Sequence, residues 1–185
     1  MTDQIRVFLS VDINDDSLLS RIKLIQSKLD THSAKMKMVE LENIHFTWRF
    51  FGDTSTARVE KIHSELESIE ISPFTIEVRG VGAFPSIHRP RVIWVGVTHN
   101  AEMMRDLKVR TDDILAGLGY QKENKFTPHA TIARVRAVND RQRISENLSA
   151  LSDESVGTMT VDCIRMTKST LTPAGPIYET LWQIS

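Results

Sequence analysis

The sequence predicts an α+β fold with largely antiparallel sheets, arranged as two similar lobes produced by duplication. Three observations predict it. The pattern H-x-T-x occurs twice, as His45-Phe46-Thr47-Trp48 and His129-Ala130-Thr131-Ile132. The two histidines are 129 − 45 = 84 residues apart, and the same offset brings the surrounding elements into line. Strands and helices also mix without the strict strand–helix–strand alternation of a parallel sheet. Repeat arrays use shorter periods and usually three or more units. One doubling therefore reads as two pseudo-symmetric lobes, with residues 1–185 a single bilobal domain.

Ile5, Val7, Leu9 and Val11 alternate with Arg6, Phe8 and Ser10, the pattern of a first strand. Asn14 or Asp15 can cap the helix that follows. Its apolar stripe is Leu18, Leu19, Ile22, Ile25 and Leu29, close to helical period. A polar connection containing methionines leads to Met38-Val39 and the first motif, whose strand Gly52-Asp53 breaks. Val59, Ile62, Leu66 and Ile69 form the stripe of a second helix, over about residues 56–69. Residues 74–80 and 91–97 are β-rich and joined by a turn-rich link from Phe84 to Pro90. Met103, Leu107, Ile114 and Leu118 mark a third helix, stopped by Gly119. A polar loop runs to Thr127, and Pro128 disfavours helix there. Ile144, Leu148 and Leu151 mark the last helix. Residues 159–166 and 177–184 close the chain as strands, linked by Thr172-Pro173-Ala174-Gly175-Pro176. Under the offset of 84, residues 15–29 fall on 99–113, 56–69 on 140–153, and 74–78 on 158–162.

On a strand, residues i and i+2 share a face. His45, Thr47 and Arg49 therefore share one face, and Phe46, Trp48 and Phe50 the other. The apolar set is expected to pack under helices and leave the polar set in a cleft. His129, Thr131 and Ala133 share a face in the second motif. Regular alternation puts Ile132 and Arg134 opposite, so Arg134 reaches the cleft only if the strand ends or bulges there. Two imidazoles and two hydroxyls face to face make a phosphate-sized site. One ring can accept a proton while the other donates one, because histidine titrates near neutrality.

A net charge of −1 excludes a generic polyanion binder, so any nucleic-acid contact must be local. Lys122, Lys125, Arg134, Arg136, Arg141 and Arg143 gather near the second motif, with Arg89 and Arg91 as further candidates. His32, His63, His88 and His99 lack the H-x-T context and read as surface residues. No H-x₃-H, H-E-x-x-H or second cysteine supports a metal site, and no Gly-rich phosphate loop is present. Cys163 is the only cysteine; it reads as a small strand residue in a protein of a reducing compartment. No apolar stretch is long enough to span a membrane, and Met1-Thr2-Asp3-Gln4 does not resemble a signal peptide. A cytoplasmic monomer is expected.

The chain resembles the 2H phosphoesterase superfamily, and within it the RNA 2′,3′-cyclic phosphodiesterase branch, also called 2′-5′ RNA ligase. Beyond the two motifs, the resemblance is carried by Ile5-Arg6-Val7-Phe8, Leu41-Glu42-Asn43-Ile44 before His45, and Phe50-Phe51-Gly52. It continues in Gly82-Ala83-Phe84-Pro85, in residues 89–97, in Phe126-Thr127-Pro128 through Val135, and in Lys168-Ser169 with Gly175-Pro176-Ile177-Tyr178. Phe46 and Trp48 stand where the family commonly has smaller aliphatic residues. The resemblance implies two antiparallel sheets flanking a central cleft, with helices outside. It implies hydrolysis of a terminal 2′,3′-cyclic phosphate on RNA to a 2′-phosphomonoester, with no metal or other cofactor, and reversible 2′-5′ ligation. His45 matches the proton donor, His129 the proton acceptor, Thr47 and Thr131 the phosphate-holding threonines, and Arg134 an arginine near the substrate. The other readings are a 2H enzyme acting on a small nucleotide such as an ADP-ribose cyclic phosphate, a non-catalytic RNA-end-binding module, and a metal-dependent hydrolase.

Overall fold

The computed structural model describes residues 3–185. The chain runs β1 (Gln4–Asp12), α1 (Asp16–Lys28), β2 (Ala34–Met38), a 3-10 turn (Leu41–Asn43), β3 (His45–Ser55) and α2 (Thr56–Leu66). It continues with β4 (Phe74–Phe84), β5 (Val92–His99), α3 (Ala101–Gly117), β6 (His129–Val138) and α4 (Arg141–Ala150). It ends in β7 (Ser155–Val161), β8 (Ile164–Thr172) and β9 (Gly175–Ile184). The starts of α1 and α4 follow from capping. The Asp15 carboxylate accepts from the backbone N–H of Ser17 and Leu18, and Asp140 caps Arg143 in the same way.

The strands are antiparallel neighbours in the order β7-β4-β5-β6-β3-β1-β8-β9, with β2 on β6. The two expected sheets are thus joined, but only at one place. The link between β3 and β6 is the single residue pair Phe46 and Ala130. On either side, each half of the array is a full antiparallel set centred on β1 or on β5. Val7, Leu9, Phe46, Ile93, Val95, Ala130 and Ile132 are all fully buried beneath helices, which fixes the helix-free face as the site's face.

The duplication does not keep its halves apart. Helix α1 packs on β7 and β6, α4 on β4, while α2 packs on β3 and α3. Trp48 on β3 donates from its indole to Thr111 on α3 at 3.2 Å. Each half of the sheet therefore carries one helix from the first repeat and one from the second.

Three element assignments change. Residues 34–38, expected as a connection, form β2 along β6; Ala-Lys-Met-Lys-Met does alternate with period two. Gly52 does not end the β3 strand, because its φ of +72° lets the strand bend and run on to Ser55. The single strand expected over 159–166 is broken at Asp162-Cys163, so Cys163 lies in a link and is half-buried. That break sends β7 to β4 in one half and β8 to β1 in the other. By its pairing, the counterpart of β4 is thus β8, not the 158–162 run.

Candidate active site

The one pair that joins the two halves also assembles the motifs. With Phe46 opposite Ala130, antiparallel register sets His45 opposite Thr131 and Thr47 opposite His129. Phe46 and Ala130 point into the core, so these four side chains share the helix-free face. Directly opposed residues bring their Cβ atoms to about 4.5–5.5 Å. The histidines thus occupy one diagonal of a small square and the threonines the other.

Each ring is held by the backbone carbonyl two residues before it. His45 Nδ1 lies 2.7 Å from Asn43 O, and His129 Nδ1 lies 2.7 Å from Thr127 O. A carbonyl can only accept, so Nδ1 carries the proton in both rings and Nε2 is left for the cleft. His45 Nε2 lies 3.1 Å from the Thr47 hydroxyl. The His45 ring stacks on Phe8 at 4.8 Å and meets the edge of Tyr178 at 5.4 Å. His129 meets Phe84 edge-on at 4.8 Å, with Trp94 at 6.0 Å. Burial in this aromatic surround holds the His45 pKa below the ordinary histidine value. The Asn43 carbonyl and the Asp12 carboxylate oppose the shift, and Arg134 and His129 reinforce it.

Both motif strands contain a bulge one residue past the threonine. Leu9 pairs with Arg49 but Ser10 with Thr47, leaving Trp48 unpaired. Ile93 pairs with Ala133 but Trp94 with Thr131, leaving Ile132 unpaired. These are equivalent positions, 132 − 48 = 84. A bulge resets the alternation. On β6 it turns Arg134 back to the face of His129 and Thr131, where it lines the cleft. On β3 it overturns the expected faces. Arg49 turns away from the cleft and is buried, with its guanidinium 3.0 Å from Asp112 and 2.7 Å from Gln121 O. Phe50, expected in the core, is 51% exposed in the cleft wall beneath the Arg6 guanidinium. Phe50 and Arg134 are equivalents under the offset.

The cleft is a cavity of about 700 Å³ with His45, Thr47, Thr131 and Arg134 in its wall. His129 lies just outside that wall, beside Phe84 and Trp94. The β8–β9 hairpin closes the far side and is tied there by Lys37 Nζ donating to Ala174 O at 2.9 Å and by Asn43 to Pro176 O. Sequence reasoning gave no site role to Phe8, Arg6, Phe50 or Tyr178. For Phe50 the signal was misleading, since only the bulge exposes it. Among the other basic candidates, Lys122 pairs with Asp113 and Arg143 with Asp30. His63 stacks on Trp182 at 4.5 Å, away from the cleft. Among the described residues, no group of three or more His, Cys, Asp or Glu side chains is arranged to hold a metal ion, and no helix is long and apolar enough to cross a membrane.

The structure matches the TT0787 protein of Thermus thermophilus with a TM-score of 0.80 at 23% identity, over 98% of this chain and 97% of that one. It matches E. coli LigT, solved with NADP+, with a TM-score of 0.76 at 18% identity, over 98% and 97%. The family model for LigT-like phosphoesterases matches twice, at residues 11–94 and 95–178, again 84 residues apart. The chain belongs to the LigT-like phosphoesterase family. It is 37% identical over 177 residues to a protein of Methanothermobacter thermautotrophicus named RNA 2′,3′-cyclic phosphodiesterase, covering 95% of each. A protein of the same name from Aeropyrum pernix is 37% identical over 168 residues, covering 90% of this chain and 96% of its own.

Proposed function

We propose that the chain hydrolyses a terminal 2′,3′-cyclic phosphate on RNA to a 2′-phosphomonoester. The observation that carries this reading is the square of two histidines and two threonines around the Phe46–Ala130 pair, with both rings fixed in the same tautomer. Relatives named RNA 2′,3′-cyclic phosphodiesterase at 37% identity support the substrate.

His129 is the base: its Nε2 takes a proton from the water that attacks phosphorus. The P–O3′ bond breaks on the opposite side, and His45 donates the Nε2 proton to the leaving O3′. The phosphate stays on O2′. The Thr47 and Thr131 hydroxyls donate to the non-bridging oxygens as charge builds there, and the Arg134 guanidinium neutralises it. Both proton transfers use ring nitrogens, so this route calls for no metal or other cofactor. With a 5′-hydroxyl in place of water as the nucleophile, the same groups form a 2′-5′ linkage, the P–O3′ bond again breaking, and that step in reverse cleaves it.

His45 must be protonated to act as donor, while burial favours its neutral form in the free enzyme. The negative phosphate entering beside it reverses that preference, so the donor is charged by its own substrate. Product analysis of an oligonucleotide ending in a 2′,3′-cyclic phosphate tests the reading. The expected product is the 2′-phosphate; a 3′-phosphate, or no turnover, would overturn it.

A further inference from the structure

Past Arg134 lies a second concavity of about 350 Å³, walled by Arg89, Pro90, Arg91, residues 135–138 and Arg141. It exists because β5 begins at Val92, opposite Arg134, so the edge of β6 is uncovered beyond that residue. The segment before β5 crosses the gap and is pinned to it, with Val135 N–H donating to Arg91 O at 2.9 Å. Pro90 is buried, and Arg89 and Arg91 on either side of it are exposed. Arg136 comes from β6 and Arg141 from the first turn of α4.

These four guanidiniums make no ion pair and no side-chain hydrogen bond among the described residues. By contrast Arg21, Arg49, Arg79, Arg143 and Arg165 are each paired with a carboxylate. The nearby acids are engaged: Asp140 caps α4, and Glu146 accepts from Gln142 at 2.9 Å. Four positive charges thus line one concavity with no carboxylate at ion-pair distance, in a chain of net charge −1. Arginine forks match phosphate oxygens, and an anion here relieves the mutual repulsion.

We propose that this arginine pocket holds the internucleotide phosphate next to the reacting end of the RNA strand, so that the enzyme reads an oligonucleotide rather than a single nucleotide. The inference rests on the reading of the cleft given above and extends it. Arg134 in the cleft wall and Arg136 in the pocket wall are exposed on either side of buried Val135. Two residues of strand span about 7 Å, a step that one nucleotide of an extended strand covers.

The test compares wild type with Arg136→Ala/Arg141→Ala on two probes, a nucleoside 2′,3′-cyclic monophosphate and a trinucleotide ending in the same group. Turnover and equilibrium binding are both read, across a range of salt. Wild type is expected to bind the trinucleotide more tightly and to lose that advantage as salt rises. The double variant should raise KM and Kd for the trinucleotide at least about 10-fold, the scale of one lost charge-assisted hydrogen bond. Its turnover of the mononucleotide should match wild type, which also reports an intact fold. Equal affinity of wild type for both probes at low salt, or an unchanged trinucleotide Kd in the variant, would overturn the proposal. Absence of turnover on both probes would sink the hydrolytic reading alone, since the binding comparison still decides the pocket.

Discussion

At the scale of single residues, the site's chemistry follows from which nitrogen carries which proton. Asn43 O and Thr127 O fix Nδ1–H in both rings, so removal of either ring removes a proton-transfer group from a prearranged position. His45→Ala and His129→Ala are each expected to lower kcat by roughly 10²–10⁴-fold with the fold intact, read by single-turnover rates and circular dichroism. Near-wild-type turnover in either variant rules out the two-histidine mechanism. Thr47→Ala and Thr131→Ala each remove one hydrogen bond to phosphate and are expected to cost about 10²-fold or less. The lowered pKa of His45 has a definite sign in the pH profile. A donor is lost as pH rises through its pKa. The alkaline limb of kcat/KM, which reports the free enzyme, should therefore fall at lower pH than the alkaline limb of kcat, which reports the complex. Coincident limbs, or a rate that only rises with pH, would contradict a buried donor recharged by substrate. The motif residues were legible at this scale because a period of two needs only the sequence. Arg134 was legible only through family resemblance, because its place depends on one unpaired residue.

At the scale of elements, the paired bulges at Trp48 and Ile132 decide what faces the cleft, and each is held by a buried polar group. Gln26 on α1 donates from its amide to Ile132 O and Val39 O, both at 2.9 Å. Arg49 is held by Asp112, which also accepts from Lys108 Nζ at 2.7 Å and from Glu123 N–H at 3.1 Å. Asp112 thus ties the strand of the first motif to the loop that leads into the second. Removing it strands the buried Arg49 and leaves Lys108 with the half-exposed Glu123 at 2.6 Å alone, at a cost of about 3–5 kcal/mol by the usual scale for breaking a buried pair. Asp112→Ala should show that loss in urea denaturation, together with reduced kcat. A stability within about 0.5 kcal/mol of wild type, the range of ordinary surface changes, would mean the cluster is dispensable. None of this was readable beforehand. Periodicity locates helices and strands, but a one-residue bulge leaves no mark in the hydrophobic pattern. Arg49 and Phe50 were consequently assigned to the wrong faces, although the strand itself was correctly placed.

At the scale of the whole molecule, the duplication is legible in sequence while the exchange of elements between its halves is not. The offset of 84 residues locates both motifs, both helix pairs and the central strands. Pairing of strands distant in sequence leaves no such signature, so β7 and β8 read as one strand. The exchange has a consequence for folding. β1 borders β8 and β4 borders β7, so each half of the sheet is completed by a strand of the other repeat. Helix α1 covers β7 and β6, and Arg21 on it reaches Ser155 O at 2.8 Å and Glu154 at 3.3 Å. A fragment of residues 1–90 would expose the apolar face of α1, one edge of β1 and both edges of β4; a fragment of 91–185 would leave β7 without a partner and β8 with β9 alone. Neither half should fold cooperatively alone, because each would leave ladder groups and apolar surface unpaired. Mixed together, the halves should regain secondary structure, since every missing partner is then supplied. Thermal melts of each fragment and of the equimolar mixture check this. A sharp transition in either fragment alone would mean that the repeats are independent units and that the crossed pairings add little.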